Sequence, residues 1–250
     1  ASQGAGGPKD EATAALYYKK SLQTWKKEAD DGDAKAALWA ALVYERKLVP
    51  DSSPEKSVPY LLQAAESGNL TAQGLLAFKY RDGLGVPQDA AKAVEWFEKA
   101  ASRKDLGAVM ELGIMFRDGK YLPPDREKAF HWFEKGAEWK DPYSMAALAD
   151  MLLEGTPSAE QAARALALYR EAAAVGYFPA ALKAAELLQN GKGGELDADE
   201  AYRLLRRVAD AAGDPKAMYM LAQVYYTRGD EAQGDSLMKA SAQAAYLPAM

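Results

Sequence analysis

The stretch that decides the fold runs Ala72-Gln73-Gly74-Leu75-Leu76-Ala77, through Tyr80, to Gly83-Leu84-Gly85-Val86. Its pattern returns about every 36 residues. Ala72 aligns with Ala36, Ala108, Ser144, Ala180 and Ala217. Four positions on stand Ala40, Leu76, Leu112, Leu148, Ala184 and Leu221. Five positions on stand Ala41, Ala77, Gly113, Ala149, Ala185 and Ala222. Eight positions on stand Tyr44, Tyr80, Phe116, Leu152, Leu188 and Tyr225. Offsets 0, 4 and 8 share one face of an α-helix. Small columns let a partner helix approach, and large columns fill the space between.

The caps keep this register. Asp33, Asn69, Asp105, Asp141, Tyr177 and Asp214 stand three residues before the anchors. Five of the six carry side chains that accept bonds from free N–H groups at a helix start. Pro142 and Pro215 follow at the first helical position, where no N–H is needed. A second helix starts after a Gly-containing turn, from Ser53, Asp89, Asp125, Ser158, Asp197 and Asp230. Ser158 with Gln161, and Asp197 with Glu200, have the spacing of capping boxes. This second helix carries Trp96-Phe97, Trp132-Phe133 and Leu168-Tyr169, each followed by small residues. Here the first helix of each pair is called helix A and the second helix B.

One such pair cannot hide its apolar face alone, whereas stacked pairs share a continuous core. The expectation is therefore an all-α chain, a right-handed α/α superhelical solenoid of about six helix–turn–helix repeats. Residues 1–10 read as a Gly-rich, polar lead-in. Residues 11–31 read as an N-terminal capping helix, with Trp25 covering its exposed end. The solenoid fills 32–250, and a partial repeat opens at Tyr246.

Composition agrees. Alanine makes up about a fifth of the 250 residues, and Ile114 is the sole isoleucine. Helices favour Ala, Leu, Glu and Lys, whereas strands favour β-branched residues. No cysteine is present, which excludes disulfides and thiolate chemistry. His131 is the sole histidine, so a metal cluster built on several histidines is excluded. No cofactor is implied. The net charge of −5 weakens a nucleic-acid reading, which expects a basic stripe. Arg203, Arg206 and Arg207 read as a solvated helix face. No run of eighteen apolar residues is present, so no membrane-spanning helix is expected. The chain opens with Ala1-Ser2-Gln3-Gly4, which reads as the remnant of signal-peptide cleavage or of trimming. The expectation is an exported, periplasmic protein, with the cytoplasm as the alternative.

These residues resemble the Sel1-like repeat family, relatives of tetratricopeptide repeats. The resemblance rests on Ala72 to Ala77, Tyr80, Gly83 to Val86, Asp89, Lys92-Ala93, Trp96 and Lys99 to Ala101. It is repeated at Leu112-Gly113, Phe116, Gly119, Asp125, Lys128-Ala129, Trp132 and Lys135. It implies a non-catalytic, protein-binding superhelix, mostly bacterial. Members act as envelope adaptors, host-interaction factors, signalling scaffolds or immunity proteins against secreted toxins.

By analogy with related solenoids, helix A lines a concave groove. Its candidate contact residues are Leu38, Leu42, Phe78, Arg81, Met110, Ile114 and Arg117, an apolar zone edged by arginine. Asp150, Glu186, Tyr219, Gln223 and Tyr226 continue it as a more polar half. The competing reading is that tight curvature buries these side chains as ordinary core. The expected role is binding and neutralising a protein partner such as a secreted toxin effector. The alternative is a periplasmic scaffold or adaptor of an envelope assembly or secretion machine. End-to-end self-association is also compatible with the pattern.

Catalytic readings are weaker. Ser53-Pro54-Glu55-Lys56 has the Ser-x-x-Lys spacing of some acylating hydrolases, but without the companion patterns. Ser53 also falls at a cap. Gly191-Lys192-Gly193-Gly194 lacks the spacing and preceding strand of a phosphate loop. His131 beside Trp132 reads as a residue on a repeat face.

Overall fold

A computed structural model describes residues 8–193 and 196–244, with side chains from Thr13 onward. Among the described residues there are thirteen α-helices and no strands. They form two compact units, up to Ala129 and from Phe130 onward.

The first unit holds α1 (Pro8–Asp30), α2 (Ala34–Glu45), α3 (Pro54–Glu66), α4 (Leu70–Asp82), α5 (Ala90–Ala101) and α6 (Leu106–Asp118). Helices α2, α4 and α6 are the helix A elements, and α3 and α5 are helix B. Every offset-0, offset-4 and offset-5 side chain from Ala36 to Leu112 is buried. Helix B fills the space between with Leu61, Trp96 and Phe97, set against Ala64, Ala65, Ala100 and Ala101. α1 begins at Pro8, so Pro8 to Asp10, expected in the lead-in, are helical; residues 1–7 lie outside the described residues. Trp25 stacks on Trp39 at 6.0 Å between ring centroids.

α7 (Arg126–Glu138) spans the boundary between the units. The second unit continues with α8 (Pro142–Leu152), α9 (Ala159–Ala174), α10 (Phe178–Asn190), α11 (Ala198–Ala212), α12 (Pro215–Thr227) and α13 (Glu231–Gln243). Its core repeats the same columns: Ser144, Leu148 and Ala149, then Ala180, Ala184 and Ala185, then Ala217, Leu221 and Ala222.

The caps explain where each helix starts. Asp33, Asn69, Asp105, Asp141 and Asp214 each accept a bond from the anchor's backbone N–H, at 2.7–3.1 Å. Ser158 and Gln161 close a full capping box. Asp197 completes only half of one, because the Glu200 carboxylate is taken by Arg170 of α9. Ser53 makes no side-chain cap bond. Pro54 needs no partner at the first helical position, and the Lys56 N–H bonds the Ser53 carbonyl at 3.1 Å. The repeat opening at Tyr246, and Gly194 of the Gly191 turn, lie outside the described residues.

A further column emerges from the backbone. Four residues before each anchor stand Gly32, Gly68, Lys104, Lys140, Gly176 and Gly213, all with positive φ. This left-handed residue swings the chain from helix B into the next cap. An L side chain there costs about 1 kcal/mol. Lys104→Gly is therefore expected to stabilise the chain by roughly that amount. A rise in the urea midpoint at unchanged slope checks it, and a fall would refute it.

Candidate protein-binding face

In the first unit, Leu38, Leu42, Phe78, Met110 and Ile114 are all half-buried, neither core nor fully open. Each sits on helix A because offsets 2 and 6 lie away from the 0–4–8 packing stripe. Phe78 meets Phe97 edge-on at 5.1 Å, so one side of its ring is packed.

Arg81 is held from several sides. Its guanidinium lies 4.7 Å from the Phe78 ring centre and 5.3 Å from that of Tyr121. It donates two bonds of 2.8 Å to the Asp82 carboxylate and one of 2.7 Å to Glu111 on the next helix A. The Tyr121 hydroxyl donates to Asp82 at 3.1 Å. Arg81 holds the Asp82 carboxyl below its ordinary pKa, chiefly through those hydrogen bonds, with Tyr121 adding to the effect. A cavity of about 210 Å³ opens here, lined by Arg81, Glu111, Ile114, Met115, Asp118, Lys120 and Tyr121. Arg117 is exposed and bonds Asp118 at 2.6 Å. Arg81 and Ile114 are thus brought to one place. Glu111 and Tyr121, which sequence reasoning missed, complete it. Glu111 carried a readable signal, since offset 3 of one helix A lies near offset 9 of the one before it.

In the second unit, Asp150 is exposed but engaged. It accepts the Tyr169 hydroxyl at 2.5 Å and the Lys183 ammonium at 3.1 Å. Burial, with Asp150 beside it, pushes the Tyr169 phenol well above its ordinary pKa. Tyr169 occupies the column of Phe97 and Phe133, and its added hydroxyl is what reaches Asp150. Glu186 is exposed and lines a cavity of about 540 Å³ with Tyr169, Lys183, Leu187, Asn190 and Lys192. Tyr219 is half-buried and Gln223 exposed, while Tyr226 donates to Asp235 at 2.8 Å.

The catalytic alternatives gain no geometry. Lys56 pairs with the Asp51 carboxylate and bonds its carbonyl at 3.1 Å. Its ammonium is therefore drawn toward Asp51. His131 is exposed, with its ring 5.3 Å from that of Trp132. Among the described residues no group of three acidic or histidine side chains is placed to hold a metal ion, and no helix is long and apolar enough to cross a membrane.

The Sel1 repeat model matches residues 2–23, 35–69, 71–105, 107–138, 142–177, 179–212 and 215–238. The chain belongs to the Sel1 repeat family. The first Sel1 match falls on the stretch read from sequence as lead-in and cap, giving seven matched stretches where about six repeats were expected. Among solved structures, the chain is similar to c5321, a protective antigen of uropathogenic Escherichia coli with an SLR fold. That match has 27% identity and a TM-score of 0.78, covering 91% of this chain and 50% of c5321. The chain thus spans about half the length of that relative. It is also similar to a Sel1 repeat protein from Oxalobacter formigenes, at 22% identity and TM-score 0.67, covering 91% and 95% of the two chains. The immunity protein Pa5087 from Pseudomonas aeruginosa matches at 22% identity and TM-score 0.45, over 86% and 81%. Comparison with curated proteins returned no match. The Sel1 repeat is a solenoid suited to protein binding, which fits a chain whose variable residues sit on helix A.

Proposed function

We propose that this Sel1 repeat chain is an exported, non-catalytic binding protein that neutralises a protein partner by covering it along the helix A face. One observation carries the reading. At offset 6 the residues run Leu42, Phe78 and Ile114 in the first unit, then Asp150, Glu186 and Gln223 in the second. All six are partly or fully exposed, whereas the columns at offsets 0, 4, 5 and 8 stay small or apolar throughout. Variation in an accessible column suits recognition and leaves the stacking of repeats unchanged. Aromatic anchors with arginine often dominate binding energy, and Phe78 and Arg81 have that composition, with Ile114 in the same zone. The likeness to a protective antigen supports export, and a secreted toxin effector is the partner class proposed.

Co-purification with mass spectrometry identifies the partner. Phe78→Ala and Ile114→Ala are then expected each to weaken its binding by about 2 kcal/mol, with circular dichroism confirming that the fold survives. Unchanged affinity in both variants would remove the face from consideration. Growth rescue by co-expression with the isolated partner tests neutralisation. A harmless envelope component as the partner would replace that role with scaffolding.

A further inference from the structure

The cavities beside Arg81 and beside Glu186 are the same place in the repeat. Two repeats beyond Arg81, Glu111, Ile114, Met115, Asp118 and Lys120 stand Leu153, Lys183, Glu186, Leu187, Asn190 and Lys192. The first six line the cavity of the first unit, and the second six line that of the second. The turns that frame them agree too. Gly119 and Gly191 have φ of +66° and +67°. In each turn the N–H of the next cap, Asp125 or Asp197, bonds back to the carbonyl of Phe116 or Leu188.

The side chains at the two places differ in a directed way. In the first unit the chain supplies its own cation and ring. The Arg81 guanidinium, from offset 9 of α4, bonds Asp82 and Glu111 and lies over the Tyr121 ring. In the second unit offset 9 is Leu153, and the place of Tyr121 is taken by Gly193. A side chain at 193 has no room, since a Cβ there would lie 2.8 Å from Cδ2 of Leu166. The cavity grows from about 210 Å³ to about 540 Å³.

Charge changes with shape. Lys183 takes the place of Glu111, but its ammonium is turned onto Asp150 at 3.1 Å. Neutral Asn190 takes the place of Asp118, and Glu186 that of Ile114. Among the described residues Glu186 pairs with no cation. A carboxylate thus lines a cavity whose equivalent is braced by a guanidinium. Lys192 does not oppose a second cation, because Lys120 holds the same place beside Arg81 in the first unit.

We infer that the cavity bounded by α8, α9 and α10 seats an arginine of the protein partner, with Glu186 as its counter-ion. An aromatic residue next to that arginine lies against Leu153, Pro157 and Leu187. The inference rests on the binding role proposed above and names the chemistry read by the second unit. The chain itself defines the occupant, since Arg81 with Tyr121 is the pair that the equivalent place holds. Arginine suits it better than lysine. Its planar fork bonds a carboxylate through two N–H groups and stacks on a ring, as Arg81 does on Asp82 and Tyr121.

The test uses the full chain and two dipeptides, acetyl-Tyr-Arg-amide and acetyl-Tyr-citrulline-amide. Citrulline keeps the shape of arginine and loses its charge. In labelled protein the arginine dipeptide is expected to move the amide signals of Leu153, Glu186, Leu187 and Lys192. The citrulline dipeptide is expected to bind at least about tenfold more weakly. Glu186→Gln is expected to abolish that difference. Leu153→Arg supplies the guanidinium within the chain, at an offset where Arg81 and Arg117 already stand. It is expected to block the arginine dipeptide while leaving the circular dichroism unchanged. Equal binding of the two dipeptides, or no movement at these four residues, would overturn the inference. So would tighter binding of acetyl-Tyr-Glu-amide, which would assign the cavity to Lys192 and an anion. The broader role is tested apart from this, through Phe78→Ala and Ile114→Ala in the first unit. Native-partner affinity lowered by those variants and unchanged by Glu186→Gln would leave that role standing and refute this site alone.

Discussion

Gly85→Ala is expected to destabilise the first unit by about 3 kcal/mol, near the upper end of what overpacking costs. Two penalties coincide. The backbone at Gly85 has φ +79°, a region where an L side chain costs about 1 kcal/mol. A Cβ there would also lie 2.6 Å from the carbonyl carbon of Pro54, 2.7 Å from its oxygen and 2.8 Å from the Glu55 nitrogen. These are backbone atoms of the first turn of α3, so no side-chain rotation relieves the overlap. The turn after α4 would have to lift off the start of α3, which separates two neighbouring repeats. Gly83→Ala is the control. Its φ is +72°, but its added Cβ meets nothing nearer than 3.4 Å, so it carries the backbone penalty alone, about 1 kcal/mol. Urea unfolding followed by circular dichroism compares the two. Equal losses would show that the approach to Pro54 does not restrain the turn. Because repeat arrays unfold as coupled neighbours, the fluorescence of a variant that keeps Trp96 as its one tryptophan reports the first unit and should shift before the second unit melts.

Most of the architecture was legible because it is written six times. A column such as Ala36, Ala72, Ala108, Ser144, Ala180 and Ala217 averages out local accidents, and caps at a constant distance fix where each helix starts. What was written once was not legible. The lysines at 104 and 140 adopt the left-handed conformation that glycine takes in the other repeats, and nothing in lysine signals it. The binding face is harder still. Phe78 and Ile114 are recognisable as variable apolar positions, but the grip of Glu111 and Tyr121 on Arg81 depends on which helix lies next to which. The sequence placed Arg81 at the rim as a contact for a partner. The structure shows its charge already shared by two carboxylates, so its work includes bracing the next turn of the chain. Stabilising contacts inside a repeat follow the period, whereas contacts between unlike residues of successive repeats do not.

Lys79 is the clearest case, and replacing it has the second large expected effect. Offset 7 of helix A is Val43, Met115, Met151 and Leu187 in other repeats, all buried. In the second repeat it is a lysine, only 3% exposed. Its ammonium lies 2.7 Å from the Glu45 carboxylate at the end of α2, and donates to the carbonyls of Leu84 at 3.2 Å and Pro54 at 3.4 Å. One buried charge thus ties the end of α2, the start of α3 and the turn that carries Gly85. Lys79→Ala removes the cation and leaves a cavity, a mostly buried carboxylate and two carbonyls short of a donor. Breaking such a pair costs about 3–5 kcal/mol. Replacing the whole pair by apolar or neutral groups of similar volume is often neutral or stabilising. Lys79→Met with Glu45→Gln is therefore expected to recover most of the loss, since methionine already fills this column at 115 and 151. Thermal and urea unfolding of Lys79→Met alone, Glu45→Gln alone and the double variant, beside Lys79→Ala, measures the coupling. A double variant as unstable as Lys79→Ala would mean that the bonds to Leu84 and Pro54, and not the ion pair, hold the repeats together. The locus also overlaps Gly85, so Gly85→Ala and Lys79→Ala should combine to less than their sum: once either has freed the turn from α3, the other has little left to break.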